Sequence, residues 1–275
     1  MPEMPEVETI RQDLSKRVCQ KQIVSAEVRL ARQLRAPKTI AGFESLVIGK
    51  TIYKIDRRGK YLLFDLGDVS IVIHLGMTGQ LYYAQAIDDI DMTHVRFLFR
   101  LDSGEYLVFA DIRTFGGIYA VKKERLKEIS GLATLGPEPL SGELTATYLL
   151  PRLAKRKSPV KAFLLDQKQV GGLGNIYVDE ALFVAGVRPM RSCDSLTPKE
   201  VEKLIGGIDR VIADGIRDGG TTFRDYRNGE GGKGEHQNHL FVYGRGGLPC
   251  TVCGNMIEKC TVGGRGTHYC ASCQK

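Results

Sequence analysis

The hydrophobic period of this chain changes once, and that change restricts the folds open to it. Between residues 22 and 121, apolar and polar residues alternate in short segments that Gly, Asp and Ser interrupt. Short strands at regular spacing are typical of a sandwich or a barrel. After the Pro- and Gly-rich segment 134–142, apolar residues recur at helical spacing, so the second part of the chain is predicted to be helical.

A further helix is predicted ahead of the strands. Pro5 is well placed in its first turn, because the missing N–H is not needed there. Apolar residues follow at helical spacing, namely Val7, Ile10, Leu14 and Val18. Past the linker, start signals predict three helices: one after Ser158-Pro159, one from Asn175 to about Ala185, and one from the capping box at Thr197 to about Arg217.

The start of the chain offers a nucleophile and a proton carrier. Removal of Met1 before a small residue would leave Pro2 with a free secondary amine. Such an amine titrates near about 7.7–8.0 and can attack a sugar carbon to form an iminium. Glu3, next in the chain, could transfer the proton. The alternative is an ordinary frayed terminus, but a helix that follows directly would hold these residues in place.

Composition favours a globular protein with a polyanionic partner. Of the 275 residues, 43% are hydrophobic and 26% are charged, which suits about two domains and a small module. The net charge of +7 favours a polyanion such as nucleic acid. No apolar run approaches the ~18 residues of a membrane span, and the start of the chain lacks the pattern of a signal peptide. We therefore expect a cytosolic protein without a membrane partner.

Four of the seven cysteines form two Cys-x-x-Cys pairs that sixteen residues separate: Cys250 with Cys253, and Cys270 with Cys273. Each pair can hold one side of a tetrahedral ion, and the intervening length suits a β-hairpin. We therefore predict one structural zinc ion with no open coordination position. The remaining cysteines are expected to be structural or free thiols: Cys19, Cys193 and Cys260.

Glycine-rich segments supply two candidate phosphate sites. Small residues in Gly263–His268 would let Arg265 at a hairpin tip reach a phosphate, although a solvated loop arginine is the alternative. Gly171–Tyr177 leads into a predicted helix whose N-terminus could attract phosphate, but an ordinary connection between helices is as rich in glycine. Segment 219–238 has no clear period and is expected to be a functional or disordered loop.

Six blocks of this sequence together closely resemble the bacterial formamidopyrimidine-DNA glycosylases, over the whole chain and in the same order. The blocks are Pro2–Thr9, Arg57–Leu62, His74–Met77, Gly172–Tyr177, Val242–Arg245, and the cysteine finger with Gly264–Thr267. The resemblance implies an α+β multidomain fold. Its parts would be an N-terminal β-sandwich with a leading helix at residues 1–133, a helix-two-turns-helix domain at 134–240, and a β-hairpin zinc finger at 241–275.

The resemblance also implies an activity. The chain would remove oxidised purines, mainly 8-oxoguanine and formamidopyrimidines, from damaged double-stranded DNA in base excision repair. It would then cut the backbone by β- and δ-elimination. We further expect one structural zinc ion, a monomer, and a bacterial cytoplasmic location associated with the nucleoid.

Site residues carried over by the resemblance fall into three groups. In catalysis, Pro2 would form the Schiff base, Glu3 would act as acid and base, Lys60 would contact phosphate and assist proton transfer, and Arg265 would grip the phosphates beside the lesion and assist δ-elimination. Phosphate and other DNA contacts would come from His74, His94, Arg156, Lys161, Asn175 and Tyr243. The space left by a flipped base would be filled by Met77, Arg113 and Phe115.

Some of these assignments have a plainer alternative. Lys60 could be a surface lysine at a strand start, and Met77 or Phe115 could be ordinary core residues. The sequence also departs from the family's usual Asp-Pro-Arg-Arg-Phe-Gly, since Ile112 and Thr114 replace the Pro and the second Arg. This departure puts the rigidity of that loop in doubt more than its chemistry. Met4 in place of the usual Leu conserves volume.

Two rival functions remain at this point. One is the related endonuclease VIII type, which removes oxidised pyrimidines and usually has Gly before the second Pro, where this chain has Met4. The other is a catalytically idle DNA-binding zinc protein. The presence of Pro2, Glu3 and Lys60 argues against an idle protein.

Overall fold

The computed structural model describes residues 2–275, so the predicted removal of Met1 falls outside the described residues. The chain forms two compact units, one comprising the residues up to Ala133 with Asp218–Gln237, the other Thr134–Arg217 with Asn238–Lys275. The domain boundaries after residues 133 and 240 remain predictions. Among the described residues, no helix has both the length and the apolarity that a membrane crossing needs.

The first unit begins with helix α1, Met4–Val18. Its start confirms the prediction from Pro5, with Glu3 as the N-cap residue. All four residues of the predicted apolar stripe are fully buried: Val7, Ile10, Leu14 and Val18. Because this face of the helix packs into the core, the residues just before it are held against the unit.

Nine strands of the first unit form two sheets, as the sandwich prediction requires. Strands β1 (Ile23–Val28), β7 (Val95–Leu101), β8 (Tyr106–Asp111) and β6 (Gly79–Ala84) form one antiparallel sheet in that order. The second sheet has the order β2 (Leu34–Ala36), β9 (Gly117–Lys122), β5 (Val69–His74), β4 (Tyr61–Asp65), β3 (Lys54–Arg58). Only the β2–β9 pair is parallel among these described strands.

The core of this unit draws on both sheets and on two helices. Helix α2, Ile40–Val47, places Phe43 within 5.9 Å of the Phe97 ring and 6.1 Å of the Phe99 ring. All three rings are almost completely buried. The core also includes buried residues of α1 and of the five-stranded sheet, so it lies between the layers of the sandwich.

Segment 218–237 is held by contacts with the rest of the first unit. Tyr226 is buried in the same core as α1. The Gly229 N–H donates to Asp13 over 3.2 Å, and the Gly229 carbonyl accepts from the Tyr83 N–H over 2.9 Å. This glycine-rich loop therefore has defined contacts at its centre.

A short helix, α3 (Ser130–Ala133), belongs to the first unit. The second unit contains the helices α4 (Ala146–Leu153), α5 (Val160–Leu165), α6 (Asn175–Ala185) and α7 (Pro198–Arg217). It also contains the antiparallel hairpin β10 (Glu258–Val262) and β11 (Arg265–Tyr269). The predicted capping box of α7 is present, because the Thr197 N–H and hydroxyl both donate to Glu200. The three helices predicted beyond the linker are confirmed.

Helices α6 and α7 pack at very short range. A Cβ atom added to Gly215 of α7 would lie 2.6 Å from the Tyr177 ring of α6. Tyr177 is fully buried, as is most of α6, and Gly186 in the left-handed region (φ +72°) ends that helix. A buried, tightly packed α6 provides a rigid base for the side chains it presents to the hairpin.

Candidate functional site

The start of α1 is held by the side chain of Glu6. One oxygen of this carboxylate accepts from the Glu3 N–H over 2.8 Å, and the other accepts from the Thr221 N–H over 2.7 Å. Pro2 and Glu3 are both buried, with Glu3 only 3% exposed. The predicted nucleophile and acid therefore lie on a fixed backbone segment next to the 218–237 loop.

Tyr226 adds a second connection between that loop and α1. Its hydroxyl donates to the Gly219 carbonyl over 3.0 Å and lies 3.4 Å from the Glu6 carbonyl. Burial, with the charge of Glu6, raises the pKa of the Tyr226 phenol, so the group remains a neutral donor. Gly220 has φ +84° and lies against the Glu6 side chain, which favours glycine at this position.

Lys60 lies at the turn between β3 and β4, directly after Gly59, whose φ of +56° suits a tight turn. Its side chain is 8% exposed, so Lys60 is not the ordinary surface lysine of the plainer alternative. Its charge affects His74 at the end of β5. Burial, together with the charges of Lys60 and Arg35, lowers the pKa of His74 to about 4.

The neutral His74 ring has a defined role in hydrogen bonding. The Gly76 N–H donates to its Nδ1 over 3.2 Å, so the proton of the neutral ring lies on Nε2. The Tyr61 ring lies 4.7 Å away and fixes the orientation of the imidazole. An Nε2–H donor of this kind can bind a phosphate oxygen without carrying a charge.

Met77 and Phe115 lie on two loops that one buried carboxylate joins. Asp111, 1% exposed, accepts from the Thr78 hydroxyl over 2.6 Å and from the Gly116 N–H over 2.9 Å. The loops also touch directly, since a Cβ added to Gly76 would lie 2.6 Å from the Gly116 nitrogen. Met77 is 36% exposed and Phe115 is 55% exposed, so neither is a core residue.

Arg113 and Phe115 form a stacked pair beside Met77. The Arg113 guanidinium lies 4.9 Å from the centre of the Phe115 ring. Between them, Thr114 adopts φ +58°, a strained conformation for a β-branched residue. The Thr114 hydroxyl accepts from Arg32 over 2.7 Å. Bonds from Asp111 and Arg32 thus hold the loop in which Ile112 replaces the usual proline.

Two other predicted DNA contacts lie on short or exposed structure. His94 ends the turn Met92–His94, and its Nδ1 lies 3.4 Å from the Arg96 guanidinium. Arg156 is exposed after α4 and stacks over the Phe163 ring at 5.6 Å. An open surface at the end of α4 is lined by positive side chains and Pro151: Arg152, Lys155 and Arg156.

Asn175 and Lys161 both bind the hairpin of the second unit. The Asn175 side-chain amide donates to the Gly266 carbonyl over 2.9 Å, and the Lys161 ammonium donates to the same carbonyl over 3.0 Å. Arg265, the preceding residue, is exposed at the start of β11. Lys161 itself is fully buried, which differs from the exposed side chain expected of a direct DNA contact.

Tyr243 is placed by a carboxylate of α6. The two oxygens of Glu180, 1% exposed, accept from three successive backbone N–H groups, those of Phe241, Val242 and Tyr243, over 2.6–2.9 Å. The Tyr243 ring meets the His268 ring edge-on at 5.4 Å. Glu180 therefore orders the backbone that presents Tyr243.

The four predicted zinc ligands converge. Their sulfur atoms all lie within 4.8 Å of one another. The Sγ atoms of Cys250 and Cys273 are 3.9 Å apart, and those of Cys253 and Cys270 are 3.5 Å apart. Tetrahedral zinc with Zn–S bonds of about 2.3 Å requires sulfur separations of about 3.8 Å. The quartet therefore fits one structural zinc ion.

Sequence reasoning missed three carboxylates that organise these groups. Glu6, Asp111 and Glu180 are each at most 1% exposed and bind backbone or side-chain donors distant in the chain. Glu6 and Asp111 lie in segments that were compared with the family, but those segments do not indicate which groups the two carboxylates bind. A buried acid in a sequence gives no signal that names its partner, because the partner depends on the tertiary fold.

Comparisons with known families cover almost all of the chain. Residues 1–118 match the formamidopyrimidine-DNA glycosylase N-terminal domain, residues 135–227 match the formamidopyrimidine-DNA glycosylase H2TH domain, and residues 247–275 match the zinc finger found in FPG and IleRS. The chain is 46% identical over 276 residues to a formamidopyrimidine-DNA glycosylase of Bacillus licheniformis, covering 100% of both chains. It is 47% identical to that of Symbiobacterium thermophilum, covering 100% of this chain and 89% of the relative.

Solved structures give the same result. A complex between the Lactococcus lactis Fpg and DNA containing an abasic site has a TM-score of 0.92 at 34% identity, with 100% of both chains covered. A structure of MutM with DNA containing carbocyclic 8-oxo-G has a TM-score of 0.91 at 34% identity, again with complete coverage. The similarity therefore extends over the complete fold.

Proposed function

This chain belongs to the formamidopyrimidine-DNA glycosylase family, and we propose that its buried Pro2 and Glu3 carry out the chemistry on damaged duplex DNA. The protein is a DNA glycosylase and abasic-site lyase of base excision repair that removes oxidised purines. The names of the relatives favour this activity over an endonuclease VIII type. Catalytic side chains at all the proposed positions argue against an idle DNA-binding protein.

The observation that carries the proposal is the fixed position of Pro2 and Glu3 ahead of α1. Glu6 holds the Glu3 backbone over 2.8 Å, so Pro2 and Glu3 move with α1 instead of fraying. The positive end of the helix dipole lies at the same place and opposes a charged amine. An uncharged secondary amine is the form that attacks carbon.

The chemistry then follows in two stages. The Pro2 nitrogen attacks the anomeric carbon of the damaged nucleotide while the bond from that carbon to the base breaks; the amine loses its proton, the base leaves protonated, and a closed-ring aminal remains. Glu3 then moves a proton to the ring oxygen as the bond from that oxygen to the anomeric carbon breaks, which opens the sugar and leaves an iminium between Pro2 and that carbon. Loss of a proton from the neighbouring sugar carbon expels the 3′ phosphate in β-elimination, and a second proton loss expels the 5′ phosphate in δ-elimination.

We assign phosphate binding to residues of both units. Lys60 and the neutral His74 would bind phosphate oxygens from the first unit, and Asn175, Tyr243 and Arg265 from the second. The remaining DNA contacts proposed are His94 and Arg156. A net charge of +7 supports a polyanionic ligand. We also propose that the protein works as a monomer in the cytoplasm, associated with the nucleoid, since one chain supplies every proposed catalytic group.

A lesion panel tests this proposal. Duplexes with 8-oxoguanine opposite cytosine, or with thymine glycol, are incubated with the protein and with Glu3→Gln, and initial excision rates are measured. We expect faster excision of 8-oxoguanine, and a fall of about 10²–10⁴-fold in Glu3→Gln, because a positioned general acid contributes about that much.

The matched control is Glu27→Gln, which removes an exposed carboxylate of β1. This control should excise at the parental rate, and Glu3→Gln should retain its affinity for the duplex. Parental excision by Glu3→Gln would overturn the role of Glu3. Faster removal of thymine glycol than of 8-oxoguanine would overturn the substrate class.

A further inference from the structure

Lys161 of α5 and Asp179 of α6 form an ion pair that is completely buried. The Lys161 ammonium lies 2.7 Å from a carboxylate oxygen of Asp179, and both side chains are 0% exposed. Burying two charges costs desolvation energy that their attraction repays only with good geometry and further hydrogen bonds. Stability alone therefore explains this ion pair poorly. Its other hydrogen bonds indicate what else the pair does.

Three of those other bonds go to the three residues that follow Arg265. The Lys161 ammonium donates to the Gly266 carbonyl over 3.0 Å and to the Thr267 hydroxyl over 2.8 Å. The second oxygen of Asp179 accepts from the His268 N–H over 2.9 Å. One carbonyl, one hydroxyl and one amide of the hairpin are thus fixed from α5 and α6.

The residues before Arg265 form the tip of the hairpin. Gly263 and Gly264 have φ values of +58° and +73°; a Cβ placed at Gly263 would lie 3.1 Å from Ala162 of α5, and no atom lies within 4 Å of one placed at Gly264. Arg265 is an exposed cation at the start of β11, where it pairs with Val262 of β10. The bonds from Lys161 and Asp179 join the strand that carries Arg265 to α5 and α6.

We propose that the Lys161–Asp179 pair is a positioning device that fixes the backbone of residues 266–268 and thereby aims the Arg265 guanidinium at phosphate. The inference rests on the proposed role of Arg265 in phosphate binding and δ-elimination. It assigns Lys161 to positioning instead of the direct DNA contact that the resemblance predicted. Asn175, which shares the Gly266 carbonyl with Lys161, contributes to the same anchor.

The test replaces both charges at once. Single replacements would leave an unpaired buried charge and could prevent folding, whereas Lys161→Met with Asp179→Leu preserves volume without charge. The substrate is a duplex with one preformed abasic site, and the products of β- and δ-elimination are separated on a gel. We expect the rate of δ-elimination to fall about tenfold while β-elimination changes by less than about twofold, since a small misplacement of a positioned group has effects of this order.

A double-mutant cycle identifies the route of the effect. In an Arg265→Ala background, the paired replacement should cause no further loss of δ-elimination, because the group that it positions is gone. The matched control is Arg191→Met with Glu200→Leu, an ion pair of the same unit whose other bonds go to Ser195, Thr197 and Lys275. This control should retain the parental ratio of δ- to β-elimination.

The outcomes separate the inference from the proposed function. Hydrogen exchange of the His268 amide should accelerate in the paired replacement, while the zinc content stays unchanged. This result is expected whether or not Arg265 assists δ-elimination. Unchanged exchange, or an equal loss of δ-elimination in both backgrounds, would overturn the positioning role. Parental δ-elimination by Arg265→Ala would instead overturn the proposed role of Arg265, and the exchange measurement would then decide whether the pair holds the backbone.

Discussion

Asp111 joins two loops that expose the side chains assigned to fill the space left by a flipped base. Its hydrogen bonds to Thr78 and Gly116 are buried, so neither loop can shift without leaving an unpaired polar group. Met77 and Phe115 consequently belong to one rigid set. The sequence could suggest the two side chains, but not the carboxylate between them, because Asp111 and Thr78 are 33 residues apart.

Met77→Ala should reduce the rate of 8-oxoguanine excision from duplex DNA about tenfold. Unstacking a base costs a few kcal/mol, and the truncated side chain would no longer stabilise the opened duplex. Affinity for undamaged duplex and its salt dependence should change little, because phosphate contacts remain. Single-turnover excision and a salt titration measure the two effects.

Met190→Ala is the control for this change, since Met190 is 39% exposed and Met77 is 36% exposed. It should excise at the parental rate. Cleavage of a preformed abasic site by Met77→Ala should suffer less than excision, because no base has to be displaced. Equal losses on both substrates, or no loss on either, would identify Met77 as a structural residue.

The β10–β11 hairpin is the element whose fold depends on the zinc site. Val262 and Thr267 are buried, but most of the hairpin is exposed, so its own core is small. The cysteine quartet closes the segment from Cys250 to Cys273 around one ion. The hairpin also carries Arg265, so loss of the ion would disturb the residue that is proposed to bind phosphate.

Cys253→Ser should therefore lower the zinc content from about one ion per chain to near zero and weaken duplex binding. Elemental analysis and a binding titration provide the measurements. Cys260→Ser is the matched control, because Cys260 lies on β10 of the same hairpin outside the quartet. Full zinc content in Cys253→Ser would contradict the site.

The elements that could be predicted from sequence are those with local signals. Helices α1 and α7 have start or capping residues and an apolar period within their own segments, and α6 is predicted from the glycine-rich segment that leads into Asn175. The sequence predicts the strands of residues 22–121 only as a group, and no pattern in it predicts helix α2 or helix α4. Strand β2 has only three residues, and α2 and α4 have eight each, too short for a clear period.

The candidate site divides in the same way. Pro2, Glu3 and the four cysteines could be proposed from residue chemistry and spacing, since their function depends on neighbours in the chain. Lys60, Arg265 and the DNA contacts needed the resemblance to a family. The bonds of Lys161 reach 105 and 106 residues along the chain, and no local pattern encodes such a contact.

In the whole molecule, the proposed roles are divided between the two units. The first unit carries the residues proposed as the nucleophile, as the acid and as fillers of the space left by a flipped base. The second unit carries the zinc finger and Arg265. The excess of positive charge on the chain as a whole favours association with DNA of any sequence. The chemistry proposed to follow DNA binding begins at the nitrogen of Pro2.

Reduction of the reaction intermediate tests that chemistry most directly. The protein is incubated with a duplex containing 8-oxoguanine in the presence of borohydride, which reduces an iminium to a stable amine, and the adduct is mapped by peptide mass spectrometry. The account predicts a covalent protein–DNA adduct in which the deoxyribose remnant is bonded to the nitrogen of Pro2, with Met1 absent. An adduct on a lysine such as Lys60, or efficient strand cleavage with no adduct, would contradict it.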